Sequence, residues 1–368
     1  MKYYTALELV EDGKPPSFDD VLLVPRYTEV RSRLKPCIQT SLGSGLYLQT
    51  PIISSPMDTV TDSTMAISIG SHGAMGIVHR FMSTEEQSSH IKRIIEHNQN
   101  ISALEIQVPV VPAIGVGDDE RDRFFKLYKE YGLNLTSVAI DVANGHSSYM
   151  REAIKWVKDI TNGELHVIAG NVATGLGFAF LSESGADAVR VGIGGGSICK
   201  TRIMTGVGVP TLASVADAYS VKRGCESYND TAIIADGGIR YPADLVKSLA
   251  AGADAIIAGR IFAGTIESPG EIVSINGESM KTYRGMASKE VQDDKRGGLR
   301  PGTCAEGVST YIPLKGKAYY IVDEFCGGLR SAMTYVNANN IDELKDNALF
   351  MRLTSSSLEE SHAFGTKK

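Results

Sequence analysis

Eight short apolar segments recur along the chain, and their spacing constrains the possible folds more than any other feature of the sequence. Each segment is rich in Val, Ile and Ala, ends in small or polar residues, and is usually followed by a longer stretch of helical character. Their starts lie about 20 to 45 residues apart, the length of a unit of one strand and one helix. We therefore predict strands within residues 51–57, 74–80, 110–116, 137–143, 166–172, 188–194, 232–238 and 255–260.

The apolar character of these segments also predicts how the strands pair. Parallel strands are buried on both faces and read as continuous apolar runs, whereas antiparallel strands usually alternate. Eight such units predict an α/β fold whose strands close into a parallel (β/α)8 barrel, or TIM barrel; an open doubly wound sheet is the alternative. The functional face of such a barrel lies at the C-terminal strand ends, which here carry Ser55, His79, Arg80, Asp141, Asn171, Gly194, Asp236 and Gly259.

The composition is that of a globular protein, with 43% hydrophobic and 22% charged residues. No apolar run approaches the roughly 20 residues of a membrane span, and the N-terminal sequence lacks the apolar core of a signal peptide. We therefore expect a cytoplasmic protein without a membrane partner. The formal net charge of -6 comes without a basic block, which disfavours a nucleic-acid partner and leaves small anionic ligands open. The five cysteines lack CxxC spacing, which disfavours disulfides and structural zinc.

One catalytic barrel domain is predicted to span residues 1–368. The region 261–330, which follows the eighth strand, is rich in glycine and charge, and we expect a long loop over the barrel mouth there. Its central part, at approximately residues 287–312, is the expected active-site flap.

A glycine-dense loop follows the sixth predicted strand in the stretch VRVGIGGGSICKTR, and Cys199 comes at its end. Consecutive glycines let backbone amides hold an anion, or carbonyls hold a monovalent cation, but a tight structural turn accounts for them equally well. Cys199 is then either a nucleophile or a small packed side chain.

Three further side chains near the predicted barrel mouth have two interpretations each. Asp236 is either an acceptor for ribose hydroxyls or a turn residue. Arg260 is a phosphate ligand or a surface charge, and Glu306 is a ligand-contacting acid or a solvated loop residue. Cys304, in the flap, is the weaker cysteine candidate because no strand fixes its position.

Several long motifs resemble one enzyme family. SSPMDTVT, GSICKTR, ADGGIRYPADLVKSLAAGADA, YRGMAS and GGLRSAM occur in the order found in the inosine monophosphate dehydrogenase and GMP reductase family, and the similarity runs from Phe18 to the C-terminus. The resemblance implies a (β/α)8 barrel assembled as a homotetramer. It also implies a purine 5'-monophosphate substrate, GMP or IMP, and a nicotinamide cofactor.

The resemblance further assigns roles to individual residues. Cys199 would attack purine C2, with Thr201 and Glu306 as its catalytic partners. The positions that match nucleotide-binding residues are Ser55, Met57, Ser197, Asp236, Gly238, Gly259, Tyr283, Gly285 and Met286, beside Arg260, where the family usually has a small residue. Asp141, Asn171 and Arg202 match positions that meet the cofactor. Carbonyls of Gly194, Gly196 and Cys199 resemble a potassium site, which Glu360 of a neighbouring subunit would complete.

The two branches of the family differ in the fate of C2. A dehydrogenase must hydrolyse its covalent intermediate, and the base for that step belongs to an Arg-Tyr pair on the flap; here the corresponding segment, KRGGLRPGTCAEG, contains Arg296 and Arg300 but no tyrosine. The short connection between the second and third strands also leaves no room for a pair of regulatory CBS modules. We therefore predict an NADPH-dependent GMP reductase. The alternatives are an NAD-dependent IMP dehydrogenase, which Arg80 and the DGGIRY, YRGM and LEESH stretches favour, and a non-catalytic purine-nucleotide-binding protein.

Overall fold

The computed structural model describes residues 2–11, 13–296, 298 and 302–361, and each predicted apolar segment forms one strand of a closed parallel barrel. The predicted α/β barrel is therefore confirmed, and the doubly wound alternative is wrong. In chain order, the strands of the described residues are β1 (Val21–Leu23), β2 (Thr40–Ser41), β3 (Tyr47–Leu48), β4 (Ile52–Ser54), β5 (Met75–Val78), β6 (Val111–Ile114), β7 (Ser137–Asp141), β8 (His166–Val172), β9 (Ala188–Val191), β10 (Ala232–Asp236), β11 (Ala255–Ala258), β12 (Val273–Ile275), β13 (Glu278–Arg284), β14 (Ser309–Pro313) and β15 (Phe350–Arg352).

The barrel closes in the order β4 to β11, with β11 paired back onto β4. Alternate residues of each strand point to opposite sides of the barrel wall. Ile53, Ile168 and Ile234 belong to a buried cluster inside the barrel, whereas Ile52 and Ile233 join the larger core beneath the helices. Both faces of each strand are thus buried, which explains why the strands read as unbroken apolar runs.

Helices follow the strands and cover the outside of the barrel. Local capping fixes several starts: Ser83 Oγ accepts from Glu86 N at 3.1 Å, and Glu86 Oε2 accepts from Ser83 N at 2.8 Å. No helix in the described part of the chain is long and apolar enough to cross a membrane. The helices are α1 (Glu8–Glu11), α2 (Ser63–Gly70), α3 (Thr84–Asn100), α4 (Asp118–Tyr131), α5 (Ser148–Ile160), α6 (Gly175–Glu183), α7 (Thr201–Thr205), α8 (Thr211–Arg223), α9 (Pro242–Ala250), α10 (Lys289–Arg296), α11 (Ala318–Tyr335), α12 (Ile341–Asn347) and α13 (Ser355–Glu359), with 3-10 turns at Phe18–Asp20, Gly132–Asn134 and Glu226–Tyr228.

The region after the eighth barrel strand differs from the long loop expected there. It contains a three-stranded antiparallel sheet in the order β12-β13-β14, together with α10 and most of α11. The sequence ESMKTYR of β13 is half exposed and carries no apolar run, so its pattern does not announce a strand. Of the flap, Arg300 and the side chain of Arg296 lie outside the described residues.

Candidate active site

A cavity of about 730 Å³ lies at the C-terminal ends of the barrel strands, and it is large enough for a nucleotide-sized ligand. Strand ends, the glycine loop and the region after β11 all contribute to its wall. His79 does not line it: the ring is buried, and Nδ1 accepts a hydrogen bond from Phe81 N. The predicted site residues that line the cavity are Ser55, Met57, Asp141, Asn171, Gly194, Gly196, Ser197, Cys199, Thr201, Arg202, Asp236, Gly238, Gly259, Arg260, Tyr283, Gly285, Met286 and Glu306.

The glycine loop after β9 packs closely against its neighbours, so part of its composition is structural. A Cβ on Gly192 would lie 2.0 Å from the Asp236 carbonyl oxygen, and one on Gly195 would lie 2.4 Å from Thr211 Oγ1. Gly192 and Gly194 also have φ values of +147° and +82°, which side chains rarely adopt. The loop can therefore take this path, with Cys199 at its end, only with glycine at these positions.

Cys199 is half-buried and stands at one end of a short hydrogen-bonded chain. Its Sγ donates to Thr201 Oγ1 at 3.2 Å, and Thr201 Oγ1 donates to Glu306 Oε2 at 2.7 Å. A carboxylate that accepts a hydrogen bond from a hydroxyl at this distance can take up the hydroxyl proton, while the hydroxyl oxygen accepts a proton from another group. The arrangement thus joins a thiol to a carboxylate through one hydroxyl. Cys304, by contrast, is exposed and does not line the cavity.

Main-chain contacts hold the flap residue Glu306 in place beside the cysteine loop. Lys200 N donates to the Glu306 carbonyl at 2.7 Å, and Val308 N donates to the Ile198 carbonyl at 3.1 Å. Cys199 and Gly307 form an antiparallel bridge between these two hydrogen bonds. The segment that carries the carboxylate is therefore attached to the cysteine loop through an isolated β-bridge.

Arg190 on β9 is a site residue that the sequence analysis missed. Its buried guanidinium donates to Asp141 Oδ1 at 2.6 Å and, through Nε and NH2, to Asp236 Oδ2 at 3.1 and 2.8 Å. Asn171 Nδ2 adds a bond to the same Asp236 oxygen at 2.7 Å. Burial alone lowers the pKa of Arg190, but the carboxylates of Asp236 and Asp141 raise it beyond its usual range. Arg190 therefore stays charged and fixes two cavity carboxylates; an arginine inside the apolar run AVRVGIG was the available signal.

Arg80 extends this network to the outer helices. Its NH2 donates to the Asp141 carbonyl at 3.2 Å and its NH1 to Glu120 Oε1 at 3.4 Å, while Gly115 N donates to the other Glu120 oxygen at 2.8 Å. Arg80 Nε is buried and finds no hydrogen-bond partner within the described part of the chain. The Asp141 end of the cavity is thus held from two directions.

Hydroxyl groups and a close-packed glycine form another part of the cavity. Ser197 Oγ lies 3.3 Å from Tyr283 OH, and a Cβ on Gly259 would lie 2.9 Å from Met57 Sδ and 3.2 Å from that same Tyr283 hydroxyl. Burial raises the pKa of Tyr283, so this hydroxyl is a hydrogen-bond donor at neutral pH. Arg260 lies at the exposed edge of this part of the cavity.

Glu360 is the predicted site residue that the fold does not bring to the cavity. It is exposed at the end of α13 and does not line the cavity of its own chain. Gly194 and Gly196 do line it, and the Gly196 carbonyl also accepts a hydrogen bond from Cys199 N at 3.1 Å. The residues described include no cluster of three or more His, Cys, Asp or Glu side chains suited to a metal ion.

Comparison with known proteins matches nearly the whole chain. The family model described as "IMP dehydrogenase / GMP reductase domain" matches residues 16–364. A protein of Borreliella burgdorferi named inosine-5'-monophosphate dehydrogenase is 36% identical over 397 aligned residues, which cover 94% of this chain and 96% of the relative. Relatives with the same name from Cryptosporidium parvum and Aquifex aeolicus are 36% and 32% identical, over 391 and 470 aligned residues, and cover 95% and 94% of both chains.

Proposed function

The chain belongs to the IMP dehydrogenase/GMP reductase family of oxidoreductases, and we propose that it is an IMP dehydrogenase, which oxidises IMP at C2 to XMP with NAD. The observation that carries the proposal is the agreement of the relatives, which bear the dehydrogenase name and align with 94% or more of this chain. This reverses the preference for a reductase drawn from the sequence.

One argument for the reductase, the lack of room for CBS modules, loses its force against these relatives. The alignment with the Borreliella dehydrogenase covers 96% of that protein in 397 aligned residues, so that relative is scarcely longer than this chain. The alignment with the Aquifex relative needs 470 aligned residues for the same share of this chain. Short and long proteins thus carry the same name, and we propose a single catalytic domain here.

The cavity supports a specific placement of the nucleotide. The phosphate would lie against Ser197, Tyr283 and the glycines that follow β10 and β11, since hydroxyls and unhindered amides are good hydrogen-bond donors to phosphate. Asp236, fixed by Arg190, would accept hydrogen bonds from ribose hydroxyls. C2 of the base would then lie at Cys199.

The residues present also fit a nicotinamide cofactor. Asp141 and Asn171 line the cavity, and neither Asp141 Oδ2 nor Asn171 Oδ1 has a hydrogen-bond partner among the residues described, so both can accept from a carboxamide or ribose. Arg202 lines the same part of the cavity. NAD, when bound, supplies the acceptor for the hydride that leaves C2.

The chain of Cys199, Thr201 and Glu306 supplies the remaining chemistry. The Cys199 thiolate adds to C2, and loss of the hydride leaves a covalent thioimidate. Water must then add to C2 while the C–S bond breaks, which releases XMP and the thiolate. Thr201 Oγ1 can accept the proton of that water as it passes its own proton to Glu306, 2.7 Å away. This relay provides a base although the segment KRGGLRPGTCAEG has no tyrosine.

GMP reductase is the second candidate, and the same relay is the observation that favours it. In that reaction Glu306 and Thr201 would protonate the departing ammonia, and no water-activating base would be needed. Addition of a hydride from NADPH, which Asp141 and Asn171 would hold, and cleavage of the C–S bond would then release IMP and the Cys199 thiolate. The two reactions require the same nucleophile and differ in the direction in which the relay moves its proton.

A paired assay separates the candidates. Purified protein is given IMP with NAD in one reaction and GMP with NADPH in the other, and the absorbance of the reduced nicotinamide is followed in both. We expect NADH to form from IMP. Consumption of NADPH with GMP, without NADH from IMP, would assign the reductase. Binding of IMP without either reaction would identify a non-catalytic nucleotide-binding protein, and Cys199→Ala should bind IMP but lack turnover.

We also propose the assembly and the cation that the family resemblance implies. The carbonyls of Gly194, Gly196 and Cys199 would hold potassium, and Glu360 of a neighbouring copy in a homotetramer would complete the site. Glu360 is exposed and does not line the cavity of its own chain, which supports a role across a subunit boundary. Light scattering tests the tetramer, and the rate of NADH formation in potassium and in sodium buffers tests the cation; the proposal expects a tetramer whose activity depends on potassium.

A further inference from the structure

Arg260 occupies an unusual position at the edge of the cavity. It directly follows Gly259, the first residue after β11, and its side chain is exposed where it lines the cavity opening. Within the described ranges of the chain, the Arg260 guanidinium forms no ion pair and donates no hydrogen bond to a side chain or carbonyl. An arginine held at a cavity edge without a protein partner is available to a ligand.

The backbone beneath Arg260 is fixed by a second cation. Lys315 Nζ donates to the carbonyls of Arg260 and Ile261 at 2.8 and 2.9 Å. Burial, and then the charge of Arg260, lower the pKa of Lys315 to about 8. Among the residues described, neither cation forms a salt bridge with a carboxylate, so this edge of the cavity carries positive charge that an anion would neutralise.

The donors of this region are arranged in two layers. Tyr283, which is 3% exposed, and Ser197 form the inner layer, with their hydroxyls 3.3 Å apart. Arg260 forms the outer layer, close enough for its charge to oppose the rise that burial causes in the pKa of Tyr283. A phosphate held by the inner hydroxyls would therefore have Arg260 on its solvent side.

We propose that Arg260 holds a second phosphoryl group, so that this site binds purine nucleoside 5'-diphosphates at least as tightly as the monophosphates. The inference rests on the proposed function, which places the first phosphate at Tyr283 and Ser197. A diphosphate extends toward solvent with additional negative charge, and a guanidinium can meet a phosphoryl group with two parallel hydrogen bonds. The inner hydroxyls are neutral and give no such preference.

Calorimetric titration of the full chain with inosine, IMP and IDP tests the proposal without requiring turnover. Wild-type protein should bind IDP at least as tightly as IMP, and added salt should weaken the binding of IDP more than that of IMP because the outer layer is exposed. Arg260→Ser should raise the Kd for IDP about tenfold or more, raise the Kd for IMP less than about threefold and leave the Kd for inosine unchanged. Arg223→Ser, which removes an exposed arginine at the end of α8, is the charge-matched control and should change nothing.

Binding of IMP with IDP at least tenfold weaker would overturn this inference and leave the proposed function intact. Equal weakening of IMP and IDP by Arg260→Ser would also overturn it, because Arg260 would then hold the first phosphate. If the protein binds neither nucleotide, the proposed function fails and the inference fails with it.

Discussion

Substitution of Glu306 by Gln separates the two chemical steps of the proposed reaction. Gln keeps an oxygen that can accept the hydrogen bond from Thr201 Oγ1, now 2.7 Å from Glu306 Oε2, but it cannot take up the proton. The main-chain bonds that hold residue 306 to the cysteine loop do not involve the side chain. We therefore expect a change in unfolding free energy of less than about 0.5 kcal/mol, with the loss confined to catalysis.

The magnitude follows from the role of the relay. Removal of a general base costs about 10²- to 10⁴-fold in rate, or roughly 3 to 5 kcal/mol in the barrier. That loss should fall on hydrolysis of the Cys199 thioimidate. The half-buried Cys199 thiol lines the open cavity and can lose its proton to solvent before it adds to C2, and loss of the hydride needs no base. The variant should thus accumulate the covalent intermediate.

Rapid mixing of Glu306→Gln with IMP and NAD provides the assay. We expect a fast phase of NADH formation that approaches one equivalent per active site, followed by a steady state at least about 100-fold slower than wild type. Cys304→Ser changes an exposed flap residue two positions away and should leave both phases unchanged. Loss of the fast phase, or a steady-state rate within about fivefold of wild type, would refute the assignment of Glu306 as the hydrolytic base.

Three further substitutions test the scaffold of the site. Arg190→Met leaves the carboxylates of Asp141 and Asp236 without their cationic partner, so it should lower the free energy of unfolding by about 3 kcal/mol and raise the KM for IMP. Arg190→Lys should lower the free energy of unfolding by less. Urea unfolding and steady-state kinetics measure the two effects, and a Met variant with the stability and KM of wild type would contradict the role of Arg190. Gly192→Ala places a Cβ 2.0 Å from the Asp236 carbonyl oxygen, whereas the Cβ of Gly206→Ala has no neighbour within 4 Å. Gly192→Ala should therefore lower the free energy of unfolding by more than the roughly 1 to 3 kcal/mol of backbone strain expected for Gly206→Ala. Equal urea midpoints for the two variants would contradict the steric argument. Burial lowers the pKa of His166 below its usual 6.5, and Nε2 donates to the Leu42 carbonyl at 2.8 Å. The folded protein therefore resists a proton that the unfolded chain accepts, so this contribution to stability is complete above about pH 6.5 and is lost as the pH falls below it. His166→Gln should flatten the acid side of the stability profile measured by urea unfolding, and an unchanged profile would contradict this.

The barrel could be predicted from the sequence because each strand is buried on both faces. Ile52 and Ile53 point to opposite sides of the wall, yet both must be apolar, so the run stands out from its surroundings. β13 lacks this signal. Its exposed and buried residues mix within ESMKTYR, and its pairing with β14 depends on residues more than twenty positions away.

The positions of the site residues could be predicted in part, because the barrel fold itself determines where the strand ends lie. The barrel brings all strand ends to one face, so residues such as Asp141 and Asp236 could be expected near one another from the fold alone. The contacts that bind them are different. Arg190 reaches its partners across 49 and 46 residues of sequence, and Thr201 meets Glu306 across 105. No local pattern encodes such pairs, although a charge within an apolar strand marks a position that must have a partner.

The bridge that attaches the Glu306 segment to the cysteine loop limits how the flap can vary in length. Because the Lys200–Glu306 and Val308–Ile198 hydrogen bonds fix which residue faces Thr201, the alignment of the two segments selects the proton acceptor. Displacement by one position would present Ala305 or Gly307, neither of which can take up a proton. Insertions before residue 302 would lengthen the connection and leave this alignment unchanged. Deletion of Gly307 would shift Glu306 by one position and move its carboxylate away from Thr201. The flap can therefore vary in length before residue 302, whereas the number of residues between Glu306 and Val308 must stay the same.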